Sequence, residues 1–481
     1  MPDKLRRLLL ACSFFLLPLL ALPTLAANSP LPASLKQALA KAKIAEQSLA
    51  LAIVPLEGGG KARFFNADKR MNPASTMKLV TTYAGLELLG PDYQWRTEFY
   101  TDGRLKDGVL SGNLYLKGGG DPKLNLQRLW LLLRDLRTAG VKQVKGDLRL
   151  ERTYFRHSTL PEFDDDGGDP LRPFLVEPDA LLINFKAVRL VVRAEAGKIY
   201  LHMDPPLASV PMVNQVKLLP AKKNCPAPLI SFHLREQEGT TSLLVKGQLA
   251  EGCRTEFYLS LLDHPNYAFD AVRALWQEMG GTIEGKNGSG LLPEPHKRRL
   301  LSRSFSPDLT EIIRDINKYS NNTMARQLFL SIGAQLHGNE ETHDQAANRA
   351  IRTWLTKKNI KTNHLLMENG SGLSRNERIS AAELAAILQA AWKSPYAAEF
   401  ISSLPLVAID GTMRKRLRGT ALAGQAHIKT GALNNSRAIA GFCRDKNGKS
   451  WAVVAILNGP KLWNASTVLD QVLLDVYQQR I

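Results

Sequence analysis

Ser75-Thr76-Met77-Lys78 places a hydroxyl and an amine three residues apart where the chain reads as entering a helix. Positions i and i+3 share a helix face, so Lys78 can reach the proton of Ser75. The run Asn72-Pro73-Ala74 precedes the motif. Leu79, Val80, Tyr83, Leu86 and Leu88 follow at helical spacing until Gly90-Pro91 stops the pattern. A serine hydroxyl is a poor nucleophile until a base takes its proton. An ordinary lysine is almost fully protonated at neutral pH, and lowering its pKa from ~10.4 to ~7 requires about 4.6 kcal/mol of destabilisation of the cation. Burial and a second cation nearby both act in that direction. The hypothesis therefore needs another basic residue brought close in space.

Two later segments supply candidates. Ser320-Asn321-Asn322 follows the amphipathic stretch Leu309, Ile312, Ile313, Ile316, and Lys429-Thr430-Gly431 ends the strand-like Ala426-His427-Ile428. Lys-Thr-Gly occurs once. Ser111-Gly112-Asn113 and Ser374-Arg375-Asn376 also match Ser-x-Asn, but Ser320 has the helical setting and lies between the other two motifs.

Ser-x-x-Lys, Ser-x-Asn and Lys-Thr-Gly in this order resemble the penicillin-recognising serine enzymes. More narrowly, the chain resembles the low-molecular-mass class C penicillin-binding proteins, the D-alanyl-D-alanine carboxypeptidase and endopeptidase family of peptidoglycan metabolism. The narrower likeness rests on the long stretch between the first two motifs and on Gly112-Asn113-Leu114-Tyr115-Leu116 running into Gly118-Gly119-Gly120-Asp121-Pro122. It rests also on Asn369-Gly370-Ser371-Gly372-Leu373-Ser374-Arg375 and on Asp410-Gly411-Thr412.

The resemblance implies a set of roles. Ser75 is the acylated nucleophile and Lys78 its base; Ser320 passes the proton to the leaving amine, and Asn322 holds Lys78 and the substrate amide. Lys429 and Thr430 receive the free C-terminal carboxylate of the substrate beside Gly431. The backbone amides of Ser75 and Ala432 face the developing oxyanion. Ala432 stands where relatives often carry threonine, which leaves an amide donor intact. Asn369 stands where they commonly carry aspartate, and no catalytic role is assigned to it. The expected substrates are peptidoglycan stem peptides and their cross-links, with β-lactam antibiotics as inhibitors and no cofactor or metal.

Lys4, Arg6 and Arg7, an apolar run from Leu8 to Leu22 and small residues at Ala26-Ala27 read as a secretory signal peptide, residues 1–27. The expected location is outside the cytoplasm, in the periplasm. The formal charge of the whole chain is +18. Removal of three basic residues and Asp3 with the signal lowers it by two. In an exported chain such a balance suits anionic wall polymers or lipid headgroups rather than nucleic acid, so peripheral association with wall or membrane is an expectation. Cys225 and Cys253 flank strand-like runs and an oxidising compartment permits a bridge between them; Cys443, after Ala438-Ile439-Ala440-Gly441-Phe442, reads as a buried thiol.

Because Ser75 and Lys78 lie early while Ser320 and Lys429 lie late, residues 28–91 and 293–481 are expected to form the catalytic domain, with 92–292 inserted as a β-rich region of two subdomains. The insertion alternates apolar and polar residues at Ala187–Arg193 and Ser242–Lys246, carries a helix at Leu126–Leu136, and is broken by the Gly/Asp/Pro-rich run Asp164–Pro170. Strand signals at Leu49–Leu56, Ala62–Phe65, His427, Arg437–Phe442 and Trp451–Leu457 predict a mostly antiparallel sheet. The helical spacing of Val468, Leu469, Val472, Leu473 and Val476 predicts a covering helix, with Asp470, Gln471 and Asp475 on its polar face. The fold class is α+β, the penicillin-recognising transpeptidase-like domain.

His427 shares a strand face with Lys429 and reads as a neighbour of the cleft. Asp164-Asp165-Asp166 has no histidine or cysteine beside it, and reads as a solvated loop or as a contact for the amino end of a diaminopimelate side chain. Two other functions compete: a serine β-lactamase or esterase on the same motifs, for which no Glu-x-x-Leu-Asn element is visible, and a non-catalytic wall-binding sensor, against which stands the full set of acylation residues.

Overall fold

The computed structural model describes residues 29–58, 60–158, 171–237, 240–338 and 341–481. The signal segment 1–27 and the acidic run Asp164-Asp165-Asp166 lie outside the described residues.

The chain's two ends build one five-stranded antiparallel sheet, in the spatial order Ala426–Leu433, Ser436–Arg444, Ser450–Asn458, Leu49–Pro55, Arg63–Phe65. Its strands are apolar on both faces because both faces are covered. In Leu49–Pro55, Ala50, Ala52 and Val54 join one core while Leu49, Leu51 and Ile53 join the other; Ser450–Asn458 divides its residues in the same alternation. One face carries the helices Ala33–Ala42 and Ala465–Tyr477. The other carries the helices Lys78–Leu89, Leu309–Tyr319, Asn322–Leu336, His343–Lys357 and Ala381–Trp392.

The helices that carry the motifs have clear starts and stops. Asp308 accepts from the amide of Glu311 to open Leu309–Tyr319, whose Leu309, Ile312, Ile313 and Ile316 are all buried at the expected spacing. That helix ends at Ser320, which sits in the left-handed region at φ 58°. Asn321 then caps Asn322–Leu336 by accepting from the amide of Met324. Two consecutive helices thus leave Ser320 alone on a sharp corner.

Among the described residues the intervening stretch, joined by Arg299–Phe305, forms four further sheets. A five-stranded one contains Arg96–Thr101, Leu114–Gly118 and Leu148–Glu151, and Arg299–Phe305 completes it by pairing with Arg96–Thr101. Leu229–Gln237 and Met212–Leu219 flank Thr240–Ala250 in a three-stranded sheet, and a disulfide joins Cys225 to Cys253 at one end of it. The glycine run after Leu114–Gly118 packs tightly: a Cβ on Gly118 would come within 2.3 Å of the carbonyl oxygen of Ala180. This segment docks on the Asn322–Leu336 helix through Gln327, a fully buried side chain. Its Nε2 donates to the carbonyls of Gly120 (3.1 Å) and Asp179 (2.9 Å), and its Oε1 accepts from the amide of Asp179 (2.9 Å).

The C-terminal helix covers the sheet, but its polar side is arranged differently from the sequence expectation. Asp475 is fully buried against the Ala33–Ala42 helix, where it accepts from Ser34 Oγ at 2.7 Å and Gln471 Nε2 at 2.8 Å, with Arg480 at 3.7 Å. A second helix packed along this face turns a nominally polar position into an interhelical lock. Cys443 is buried, and burial pushes its thiol up to about 12. Among the described residues no helix is long and apolar enough to cross a membrane.

Replacing Asp475 with alanine leaves Ser34 and Gln471 facing a void without their acceptor. We expect Asp475→Ala to lower unfolding stability by about 2 kcal/mol, the usual cost of stranding buried polar partners, measured as a shift in denaturant midpoint at unchanged slope.

Candidate active site

Ser75 lies in a 3₁₀ turn, Ala74–Met77, that runs directly into the helix beginning at Lys78, rather than inside that helix. The turn is tight because Ala74 sits at φ 46° and two glycines press on it. A Cβ on Gly372 would fall 1.9 Å from the carbonyl oxygen of Ala74, and one on Gly431 would fall 2.7 Å from that of Pro73 and 3.1 Å from the amide nitrogen of Ser75. Only glycine lets these two segments pass so close to the Ser75 turn. Lys429-Thr430-Gly431-Ala432 belongs to the interior of the edge strand Ala426–Leu433, not to its end.

The three motifs meet. Lys78 Nζ is 2.9 Å from Ser75 Oγ and 2.6 Å from Asn322 Oδ1, and it also donates to the carbonyl oxygen of Ser371. Lys429 Nζ is 2.8 Å from Ser320 Oγ and 2.8 Å from the carbonyl oxygen of Thr430. Thr430 Oγ1 is 2.8 Å from Thr412 Oγ1. The two other Ser-x-Asn matches have structural employment: Asn113 is tied to Asp102, while Ser374 and Asn376 are tied to Glu368.

The partners of Lys78 decide its chemistry. A charged ammonium has three protons; a neutral amine has two and a lone pair. Asn322 Oδ1 and the Ser371 carbonyl accept and cannot donate. They take two protons, so in the neutral amine the lone pair is directed at the remaining partner, the Ser75 hydroxyl, which can give a proton. The surroundings favour the neutral form. Lys78 and Lys429 are both fully buried. Burial, and next the Lys429 charge, hold the Lys78 amine well below the ordinary lysine value, partly opposed by the Glu377 carboxylate. Burial brings Lys429 down to about 7.

Glu377 had no signal in the sequence, being one acidic residue in a polar stretch. It is fully buried beneath the site. Its Oε1 accepts from the amides of Glu368 (3.0 Å), Asn369 (3.0 Å) and Gly370 (2.8 Å), and its Oε2 from that of Gly372 (2.7 Å). The carboxylate therefore closes the loop that presents the Ser371 carbonyl to Lys78. Burial raises its pKa and the amides oppose that rise. Asn369 shapes the same loop by accepting from the amide and hydroxyl of Ser371. His427 is partly buried on the same strand as Lys429, its imidazole held below its usual range by burial and by Lys318.

A buried serine–lysine pair completed by a second serine and a second lysine, on an antiparallel sheet flanked by helices, defines a penicillin-recognising serine acyl-transfer enzyme. The chain belongs to the D-Ala-D-Ala carboxypeptidase 3 (S13) family, whose profile matches residues 31–475, and is a low-molecular-mass class C penicillin-binding protein. It is 27% identical over 407 residues to the D-alanyl-D-alanine carboxypeptidase DacB of Haemophilus influenzae, covering 82% of each chain. It is 27% identical over 398 residues to a D-alanyl-D-alanine carboxypeptidase of an Actinomadura strain, covering 79% of this chain and 72% of that one. The crystal structure of penicillin-binding protein 4 from Haemophilus influenzae superposes with a TM-score of 0.74 at 22% identity, over 92% of this chain and 99% of that one; the same protein is also known in complex with a β-lactam.

Glu377→Gln turns one acceptor oxygen into an NH₂ facing backbone N–H groups. We expect a loss of about 2–3 kcal/mol in stability, as for a broken hydrogen-bonded charge. Slower covalent labelling of the folded fraction by penicillin should accompany it, since the Ser371 carbonyl loses its fixed position; unfolding curves and labelling rates check the two effects separately.

Proposed function

We propose that the chain cleaves the D-alanyl-D-alanine end of peptidoglycan stem peptides, and the D-alanyl cross-links between them, through an acyl-enzyme on Ser75. The observation that carries this reading is the set of partners around Lys78, which leaves the Ser75 hydroxyl as the one partner able to supply a proton to the amine.

Ser75 Oγ attacks the carbonyl carbon of the penultimate D-alanine and its proton passes to Lys78. The amides of Ser75 and Ala432 receive the oxyanion. When the C–N bond breaks, Ser320 gives its hydroxyl proton to the departing nitrogen and regains the one taken from Ser75. Water then adds to the Ser75 ester, releasing the shortened peptide and restoring the hydroxyl. Loss of a terminal D-alanine makes the reaction a carboxypeptidase step; loss of a neighbouring stem peptide makes it an endopeptidase step. A departing D-alanine carries a carboxylate next to its nitrogen, as does a departing diaminopimelate side chain, which suits a site holding Lys429 and Thr430. In this reading residues 28–91 and 293–481 supply the catalytic domain and 92–292 an insertion, except that Arg299–Phe305 goes with the insertion, whose sheet it completes; the protein acts in the periplasm, its basic charge allowing loose contact with wall or membrane.

A fluorescent penicillin tests the reading directly. The purified protein should acquire a persistent covalent label, Ser75→Ala should acquire none, and Lys78→Ala should be labelled at least about 100-fold more slowly, the scale of a lost general base. Labelling that survives Ser75→Ala would remove the nucleophile assignment.

The pH profile follows from the two buried lysines. The active free enzyme has Lys78 neutral and Lys429 charged, so kcat/KM for a carboxylate-bearing peptide should fall on the alkaline side near pH 7, where Lys429 loses its proton. A bound carboxylate favours the cation, so the same limb should lie higher in kcat. Lys429→Arg keeps its charge and should erase the limb; a limb that stays in place assigns it to another group.

A further inference from the structure

Asp410-Gly411-Thr412 has no part in the chemistry assigned so far, yet its threonine reaches the cleft. We propose that Thr412 is a positioning residue for carboxylate recognition, its hydroxyl directing the Thr430 hydroxyl proton toward the C-terminal carboxylate of the substrate; this rests on the reading of Lys429 and Thr430 given above.

The two hydroxyl oxygens are 2.8 Å apart, and Thr412 is exposed at the cleft rim while Thr430 is half-buried. Each hydroxyl has one proton to give. A carboxylate only accepts, so with one beside Thr430 the hydrogen bonds run in one direction: Thr412 donates to Thr430 Oγ1, and Thr430 donates to the anion. Each bond polarises the next. Without Thr412 the Thr430 hydroxyl is free to rotate away from the anion. The strand itself offers no replacement, because residue 432, two positions on and on the same face, is alanine.

The backbone around Thr412 is built to hold it there. Lys318, 6% exposed at its side chain and two residues before Ser320, donates to Asp410 Oδ2 at 2.6 Å, and Asp410 Oδ1 accepts from the amide of Leu406 at 2.7 Å. Gly411 sits at φ 55°, and a Cβ there would come within 2.6 Å of the carbonyl oxygen of Lys318. The turn that carries Thr412 is thereby locked to the helix whose end presents Ser320. One ion pair sets the distance between the proton-transfer corner and the carboxylate end of the site.

The test compares benzylpenicillin, whose carboxylate stands in for that of the peptide, with its methyl ester, which has none. In Thr412→Val the ratio of the acylation rate constants, acid over ester, should fall about tenfold, the scale of one hydrogen bond to a charged group. Thr412→Ser, which restores a hydroxyl, should recover most of the ratio. An unchanged ratio, with or without a uniform drop in both rates, would overturn the proposal, since a merely structural residue affects acid and ester alike. Failure of the wild-type protein to label at Ser75 with either compound would instead remove the acyl-enzyme reading, and this proposal with it.

Discussion

A lysine amine with no exposure to water, in reach of one hydroxyl and two obligate acceptors, is the constraint on which the rest of this structure depends. Burying an amine is tolerable only if it gives up its charge or finds oxygen partners on every side. Lys78 does both, and each partner arrives from a different stretch of chain: Ser75 from its own turn, Asn322 from the start of a helix, Ser371 from a loop folded around Glu377. The fold can be read as the device that brings those stretches together. The antiparallel sheet supplies Lys429 alongside, and the glycines at 372 and 431 permit an approach that any side chain would block.

The buried charges near this point set one another. Lys429 depresses Lys78, Glu377 pulls in the other direction, and burial acts on all three. A single buried lysine would simply be neutral and a single buried carboxylate simply protonated. Placed together, the second amine reinforces the neutral form of Lys78 while the carboxylate opposes it, and the neutral amine keeps a lone pair for the Ser75 proton.

Much of this was legible in the sequence, and for identifiable reasons. The short continuous apolar runs at 49–55 and 451–457 read as strands, though only the covered second face explains why both sets of alternate residues are apolar. The three motifs were visible because the roles proposed for them, nucleophile, base and cation, need particular residue types. Glu377 was not, since its role is to accept from backbone amides and any isolated acidic residue looks the same before folding. Gln327 was hidden in the same way, as was the pairing of Lys318 with Asp410. Asp475 misleads because charge at a helical position reads as solvent-facing until a second helix covers it. The left-handed corner at Ser320 follows from two caps in succession, Asp308 and Asn321, which mark the helix starts but give no warning of the geometry between them.

The attachment of the intervening residues bears on why the Asn322–Leu336 helix is so heavily constrained. Its first turn gives Asn322 to Lys78, and little more than one turn later Gln327 spends its whole amide on the carbonyls of Gly120 and Asp179 and the amide of Asp179. Both contacts lie on one helix, so the glycine run at 118–120 and the residue that holds Lys78 are fixed to the same element. A surface insertion joined only by flexible linkers would leave the site indifferent to what the insertion touches. Here a buried side chain with every hydrogen-bonding group engaged ties the two, on the same helix that places Asn322 beside Lys78.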